Sequence, residues 1–290
     1  MRMSYLLYAS VLALLPLSGL AGTPQPVWQS PAKLQQPESA VYDDARNVLY
    51  VSNINGPGTA HDGNGYISRL DPEGRILELK WVTGLDAPKG LAISHGHLYA
   101  ADIDKLVEID IASGRILKRY PAPGAVFLND TVAAPNGDIY VSDMMTNRIH
   151  RLHNGAFRVW LETPELENPN GLFVSGGQLI VGCWGPITKG FSTSSPGHLK
   201  SIGLTDRRIR VLANGATIGN LDGVEGDGAG GYYLTDWVAG GLLHVSAGGK
   251  VKQLLDLNSG SADLGYARRL GLLLIPMMKD GKVLAYRVGG

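Results

Sequence analysis

Six short apolar stretches punctuate the chain: Val48–Ser52, Leu98–Ala101, Ile139–Ser142, Gln178–Gly182, Gly231–Thr235 and Leu272–Pro276. Each is four or five residues long and bounded by turn-forming residues, which suits buried strands better than helices. The surrounding pattern repeats most clearly around the third stretch. A first strand over Thr131–Ala134 leads to a Pro135-Asn136-Gly137 hairpin turn and the strand at Asp138–Ser142. The loop Asp143–Asn147, a strand at Arg148–Leu152, a His153-Asn154-Gly155 turn and a strand at Ala156–Leu161 follow. Third strands are also predicted at Tyr66–Leu70, Leu106–Ile109, Leu242–Val245 and Val283–Arg287. Four antiparallel strands per unit describe a propeller blade.

Each unit begins with a recurring phrase: Pro37-Glu38-Ser39, Pro88-Lys89-Gly90, Leu128-Asn129-Asp130, Pro169-Asn170-Gly171, Leu221-Asp222-Gly223 and Ala262-Asp263-Leu264. The central residues are separated by 51, 40, 41, 52 and 41 positions, a repeat of about forty with two insertions. The pattern predicts an all-β, six-bladed β-propeller over residues 22–290. The last unit lacks a fourth strand, and the segment around Pro26–Leu34 lacks a partner. Pairing the two closes the ring with an N-terminal strand and removes an exposed sheet edge. Equivalent residues of successive blades point at one axis, so six polar side chains are expected to meet there. The insertions Ile54–Gly65 and Trp184–His198 fall in blades one and four, and both are expected to flank the mouth on the same face as the phrases.

Outside the repeat, Arg2, an apolar run from Leu6 to Leu17 and Ser18-Gly19-Leu20-Ala21 describe a secretory signal peptide over residues 1–21. The apolar run is short for a membrane span. Export, to the periplasm or to the outside, is therefore expected, with no membrane association after cleavage. Charge is balanced at 26 basic and 26 acidic residues, and no basic run suggests nucleic acid. The expected partner is a small-molecule substrate. The lone Cys183 can form no internal disulfide and reads as a buried, inert thiol.

The axial set carries three carboxylates, Glu38, Asp222 and Asp263, with one ammonium, Lys89, and the amides Asn129 and Asn170. Three carboxylates in a small space need a counter-charge, and a divalent cation is one solution. Oxygen-only ligands favour calcium, with magnesium, manganese or zinc as alternatives.

On Pro37-Glu38-Ser39, Asn129-Asp130, Asn170-Gly171 and Asp222-Gly223, each opening a blade, the chain resembles the senescence marker protein 30 (regucalcin) and gluconolactonase family. The resemblance implies a divalent metal held at Glu38, Asn170 and Asp222, with Asn129 contacting metal-bound water or substrate. It also implies Asp222 as the general base that activates water, and hydrolysis of a lactone or related small ester. Lys89 and Asp263 fall outside the familiar set, and Phe127-Leu128 stands where that family has an arginine before the Asn-Asp pair. Both Lys89 and Asp263 are candidate substrate-binding residues. Three readings of Lys89 remain open: a structural ion pair with Asp263, a grip on an anionic substrate group, or an ammonium in place of the metal.

Other polar signals read as structural. Asn53, Asp102, Asp143 and Asp236 each follow a second strand and are expected to hold the adjoining backbone. His95-Gly96-His97 reads as a hairpin on the far face. Trp184 and Trp237, at equivalent loop starts, either wall the pocket or pack between blades. A metal-dependent hydrolase, a non-catalytic binding propeller and a different propeller enzyme such as a streptogramin lyase are the function classes in play. The lyase class is disfavoured because none of the six axial positions is histidine.

Overall fold

The computed structural model describes residues 23–289. The signal-peptide expectation over residues 1–21 lies outside that range. No helix among the described residues is long and apolar enough to cross a membrane.

Six four-stranded antiparallel sheets form a β-propeller ring. Blade one contains Pro37–Asp43, Val48–Asn53, Gly65–Leu70 and Ile76–Leu85. Blade two contains Pro88–Ser94, His97–Asp102, Lys105–Asp110 and Ile116–Pro121. Blades three, four and five begin at Leu128–Ala133, Pro169–Ser175 and Leu221–Gly226. Blade six is assembled from both ends of the described chain: Gly265–Ala267, Leu272–Met277 and Lys282–Arg287, then Gln25–Gln29 as its outermost strand. Gln25–Gln29 runs antiparallel to Lys282–Arg287, and a reciprocal pair of hydrogen bonds between Ser30 and Val283, 2.9 and 3.0 Å, continues the seam.

Packing follows from this layout. The second strand of each blade lies between two neighbouring sheets; Val48–Asn53, Ile139–Asp143 and Leu272–Met277 are buried at every position. That is why these stretches read as continuous apolar runs and not as alternating ones. Outermost strands such as Ala156–Glu162 are largely exposed. Each junction between successive blades holds its own apolar cluster. The last, Ala267, Leu272, Leu274, Val283 and Ala285 against Ala40, Leu49, Val51 and Leu70, joins blade six to blade one.

One expectation needs correction. The recurring phrase does not precede the first strand; in blades one to five it is the beginning of that strand, and the ladder slips there. Register shifts fall at Pro37/Ala40, Pro88/Leu91, Leu128/Thr131, Pro169/Leu172 and Leu221/Val224. A β-bulge of this kind bends the strand and re-aims a side chain. Where the second strand offers a hydroxyl, it takes the freed amide: Ser52 accepts from Ser39, Ser142 from Asp130 and Thr235 from Gly223, at 2.8–2.9 Å.

Candidate functional site

A cavity of about 410 Å³ opens on the face that carries the phrases, and Glu38, Lys89, Asn129, Asn170 and Asp222 line it. All five are buried. The bulges deliver these side chains, and in blades one to three the polar residue closing the second strand fixes the chain leading into them. Asn53 accepts from the Gln35 amide, Asp102 from Asp86 and Ala87, and Asp143 from Val126 and Phe127. Asp236 instead holds its own turn, accepting from Val238 and Ala239. These four side chains are thus structural acceptors.

The five pocket residues are unequally satisfied. Asn129 donates to the Asn170 carbonyl oxygen, and Asn170 donates to Asp222 at 3.1 Å. Two buried acceptors, Glu38 Oε2 and Asn129 Oδ1, have no partner. Orphaned buried acceptors are costly and call for an explanation.

Electrostatics sharpens the point. Burial, then the charges of Asp222 and Asp263, push the Glu38 carboxyl well above its ordinary value, against the pull of Lys89. Burial and Asp263 do the same to Asp222, and burial and Asp263 to Asp130. Burial raises Asp263 to about 7 and lowers Lys89 to about 8. Two carboxyl groups, Glu38 and Asp222, share the desolvated cavity with one ammonium, and Asp130 and Asp263 act on them from a second cavity, so carboxyl groups outnumber cations here. Among the described residues, no three His, Cys, Asp or Glu side chains converge tightly enough to hold a metal by themselves. The donor set that fits a hard cation is mixed: the carboxylates of Glu38 and Asp222 with the amide oxygens of Asn129 and Asn170.

Asp263 and Lys89 depart from their expected geometry. Asp263 is absent from this cavity and lines a second one of about 210 Å³, with Ser39, Asp130, Thr131 and Glu225. Its carboxylate accepts from Ser39 Oγ at 2.6 Å. The register of blade six slips here as in the other blades, between the Ser261–Met277 bridge and the Gly265–Leu274 pair, but Asp263 bridges in parallel to Ser39 and bonds to its hydroxyl. Asp263 therefore does not sit beside the other five as a pocket-lining substrate contact. Nor does it pair with Lys89. The Lys89 ammonium donates to the carbonyls of Gly58 and Ala87, both at 2.9 Å, and stands 4.4 Å from the Phe127 ring centroid. Lys89 makes no salt bridge among the described residues, which removes the structural ion-pair reading.

The upper walls are apolar, and the sequence reading largely missed them. Ile54, Met144, Trp184, Trp237 and Met278 line the cavity, with Phe127 and Phe191. The first five occupy one register, the residue directly after the second strand; Ile103 holds it in blade two and packs against Ile54. The separations along Ile54, Ile103, Met144, Trp184, Trp237 and Met278 are 49, 41, 40, 53 and 41, tracking those of the polar phrase. A second six-fold repeat, apolar throughout, was thus available as the missing signal. Of the two readings of Trp184 and Trp237, pocket wall is the observed one, and their rings lie 6.0 Å apart. Both inserted loops reach the cavity, blade one through Gly56, Pro57, Gly58 and Thr59, and blade four through Phe191. The blade-four loop carries a small hairpin of Ile187–Lys189 and Ser192–Thr193.

Two further expectations concern residues outside the cavity. Cys183 is fully buried, and burial pushes its thiol up to about 12, consistent with an inert group. His95 and Gly96 both adopt positive φ at the turn of the blade-two hairpin, so His95-Gly96-His97 is a tight turn and no metal pair.

No family model matches the sequence, and no curated protein matches it either. Solved structures share the fold. A gluconolactonase from Xanthomonas campestris is 14% identical, covering 94% of this chain and 99% of its own, with a TM-score of 0.68. A streptogramin B lyase is 12% identical, covering 93% and 99%, with a TM-score of 0.64. Virginiamycin B lyase from Staphylococcus aureus is 15% identical, covering 89% and 98%, with a TM-score of 0.59. At such identities the likeness establishes the propeller and leaves function to the site.

Proposed function

We propose that the protein is an exported hydrolase of lactones or small esters that works with a divalent cation, calcium first among the candidates. The observation that carries this reading is the pair of unpartnered buried acceptors, Glu38 Oε2 and Asn129 Oδ1, in a cavity where two carboxyl groups face one ammonium. Glu38, Asn170 and Asp222 would hold the cation, with Asn129 beside them. Bound there, the cation would supply a counter-charge and a Lewis acid for the ester carbonyl.

The chain's own groups do the rest. Asp222 accepts a proton from the attacking water, and its hydrogen bond from Asn170 fixes the orientation of the carboxylate. Asn129 and Asn170 orient water and substrate without adding charge. Lys89 has three donors and spends two on backbone carbonyls, so one remains for an acceptor group of the substrate. The apolar walls keep bulk water from the reacting centre. The streptogramin-lyase alternative fares poorly, because no histidine lines the cavity; a histidine-to-alanine variant of virginiamycin B lyase is catalytically inactive.

A second reading, ligand binding without catalysis, rests on Lys89, whose ammonium already brings positive charge into the channel. Metal content of the purified protein, followed by a lactone and aryl-ester panel with and without chelator, separates the two. Asp222→Asn should keep the fold and lower kcat by about 10²–10⁴-fold. Full activity in that variant would sink the role given to Asp222, and absence of metal together with absence of turnover would leave the binding reading standing.

A further inference from the structure

We infer that the site takes a lactone or ester with an apolar, flat body, an aryl lactone being the best fit, and discriminates against polyhydroxylated sugar lactones. The inference rests on the hydrolase reading above for the reacting group, and on the cavity walls for everything else.

The cavity is built in two tiers. Its polar groups are concentrated in the floor formed by the bulged phrases. Above them stands the apolar ring of Ile54, Met144, Trp184, Trp237 and Met278, completed by Phe127 and Phe191. The aromatic members touch one another: Phe127 to Phe191 at 5.5 Å between centroids, Trp184 to Phe191 at 6.2 Å, Trp184 to Trp237 at 6.0 Å. Edge and tilted contacts of this kind make a rigid wall against which a flat ring can pack.

The wall has few hydrogen-bonding groups left for a ligand. The Trp184 indole N–H is already committed to the Phe191 carbonyl at 2.9 Å. The Gln36 side-chain oxygen accepts from the Gly56 amide at 2.7 Å. A sugar ring presents hydroxyls around its whole edge, more than the Thr59 hydroxyl, the Trp237 indole N–H and the Gln36 amide nitrogen can serve, so most of those facing this wall would be buried without partners. An apolar body loses nothing there and gains burial. The rim continues the pattern: Val126, next to Phe127, Phe191 itself and Val238, next to Trp237, are exposed. A volume of about 410 Å³ accommodates a small bicyclic ligand.

The experiment uses the full chain and two lactones, 3,4-dihydrocoumarin and glucono-1,5-lactone. A third probe is 3,4-dihydroquinolin-2-one, a lactam of the aryl shape that ester hydrolysis does not consume. Tryptophan fluorescence and calorimetry follow lactam binding independently of turnover. The expected result is lactam binding, with kcat/KM for dihydrocoumarin at least 100-fold above that for gluconolactone. Phe191→Ser, at a half-exposed loop position, should weaken lactam binding about tenfold and raise KM for dihydrocoumarin with kcat nearly unchanged. Lactam binding without turnover of any lactone would support the apolar ligand class and discard hydrolysis. Equal or better turnover of gluconolactone would keep hydrolysis and overturn the apolar class. No lactam binding, or binding indifferent to Phe191→Ser, would overturn it as well.

Discussion

Gly171 follows Asn170 in the blade-four bulge, where the backbone of blade four passes against that of blade five. A Cβ added there would fall inside contact distance of the Asp222 carbonyl oxygen and carbon. Because the obstacle is backbone, Gly171→Ala must push two blades apart at their inner ends. We expect a loss of about 1–3 kcal/mol in chemical denaturation, together with weaker binding of the proposed cation, since the shift displaces Asp222. A change smaller than 0.5 kcal/mol would show that the blades are looser than this. At the same scale the sequence was informative where a residue's role depends on its place in the repeat. Glu38, Lys89, Asn129, Asn170 and Asp222 share a pocket because five bulges share a geometry. Asp263 escaped that logic because the Ser39 hydroxyl holds its carboxylate toward the second cavity, a contact between blades that the repeat does not encode. Lys89 was legible as an axial cation but not in its bonding: its acceptors are backbone carbonyls, one of them in the inserted loop, and no side-chain pattern encodes the position of a loop carbonyl.

A blade is stabilised across its strands as well as against its neighbours, and blade two shows how. Glu108 on the third strand accepts from Tyr120 at 2.6 Å and Tyr99 at 3.2 Å, with His97 Nδ1 at 2.5 Å. Burial pushes this carboxyl up, but the hydrogen bonds from Tyr120, His97 and Tyr99 outweigh it and hold it below its ordinary value of 4.5. A carboxyl that titrates lower in the folded protein than in the unfolded chain stabilises above the unfolded value, and that contribution fades as pH falls through the folded one. Glu108→Gln should therefore cost about 1–2 kcal/mol at pH 7, with the gap to the parent narrowing in acid. Thermal midpoints of both proteins across pH 3–8 test this, and a gap independent of pH would refute it. Among the elements, second strands were the most legible because burial on both faces makes them uniformly apolar. First strands were misjudged at their starts, since a bulge leaves no mark in composition. The apolar ring above the phrase went unread for a different reason: isolated Ile, Met and Trp residues at loop starts look like ordinary core until a shared register links them.

Ring closure is the property of the molecule that no single blade contains. The strand Gln25–Gln29 completes the sheet of blade six, while Trp28 packs into the cluster shared with blade one and lies against Gly74 in a blade-one turn. Deleting residues 23–30 should remove both attachments and expose Lys282–Arg287 as an open edge. We expect a loss of several kcal/mol, on the scale of removing one large aromatic residue and a strand, and concentration-dependent association through the freed edge. Sedimentation and urea denaturation check the two parts separately, and a truncated protein that stays monomeric with an unchanged midpoint would contradict both. The ring was predictable because the unit count left one strand missing at one end and one spare at the other. The same seam also sets a schedule. Ser30 and Val283 are 253 residues apart, so an early segment is paired by one made much later. A chain emerging from the ribosome cannot lock its ring until Lys282–Arg287 is free, and until then Gln25–Gln29 has no partner strand. The inner blades can assemble one after another, but the finished propeller arrives in a single late step.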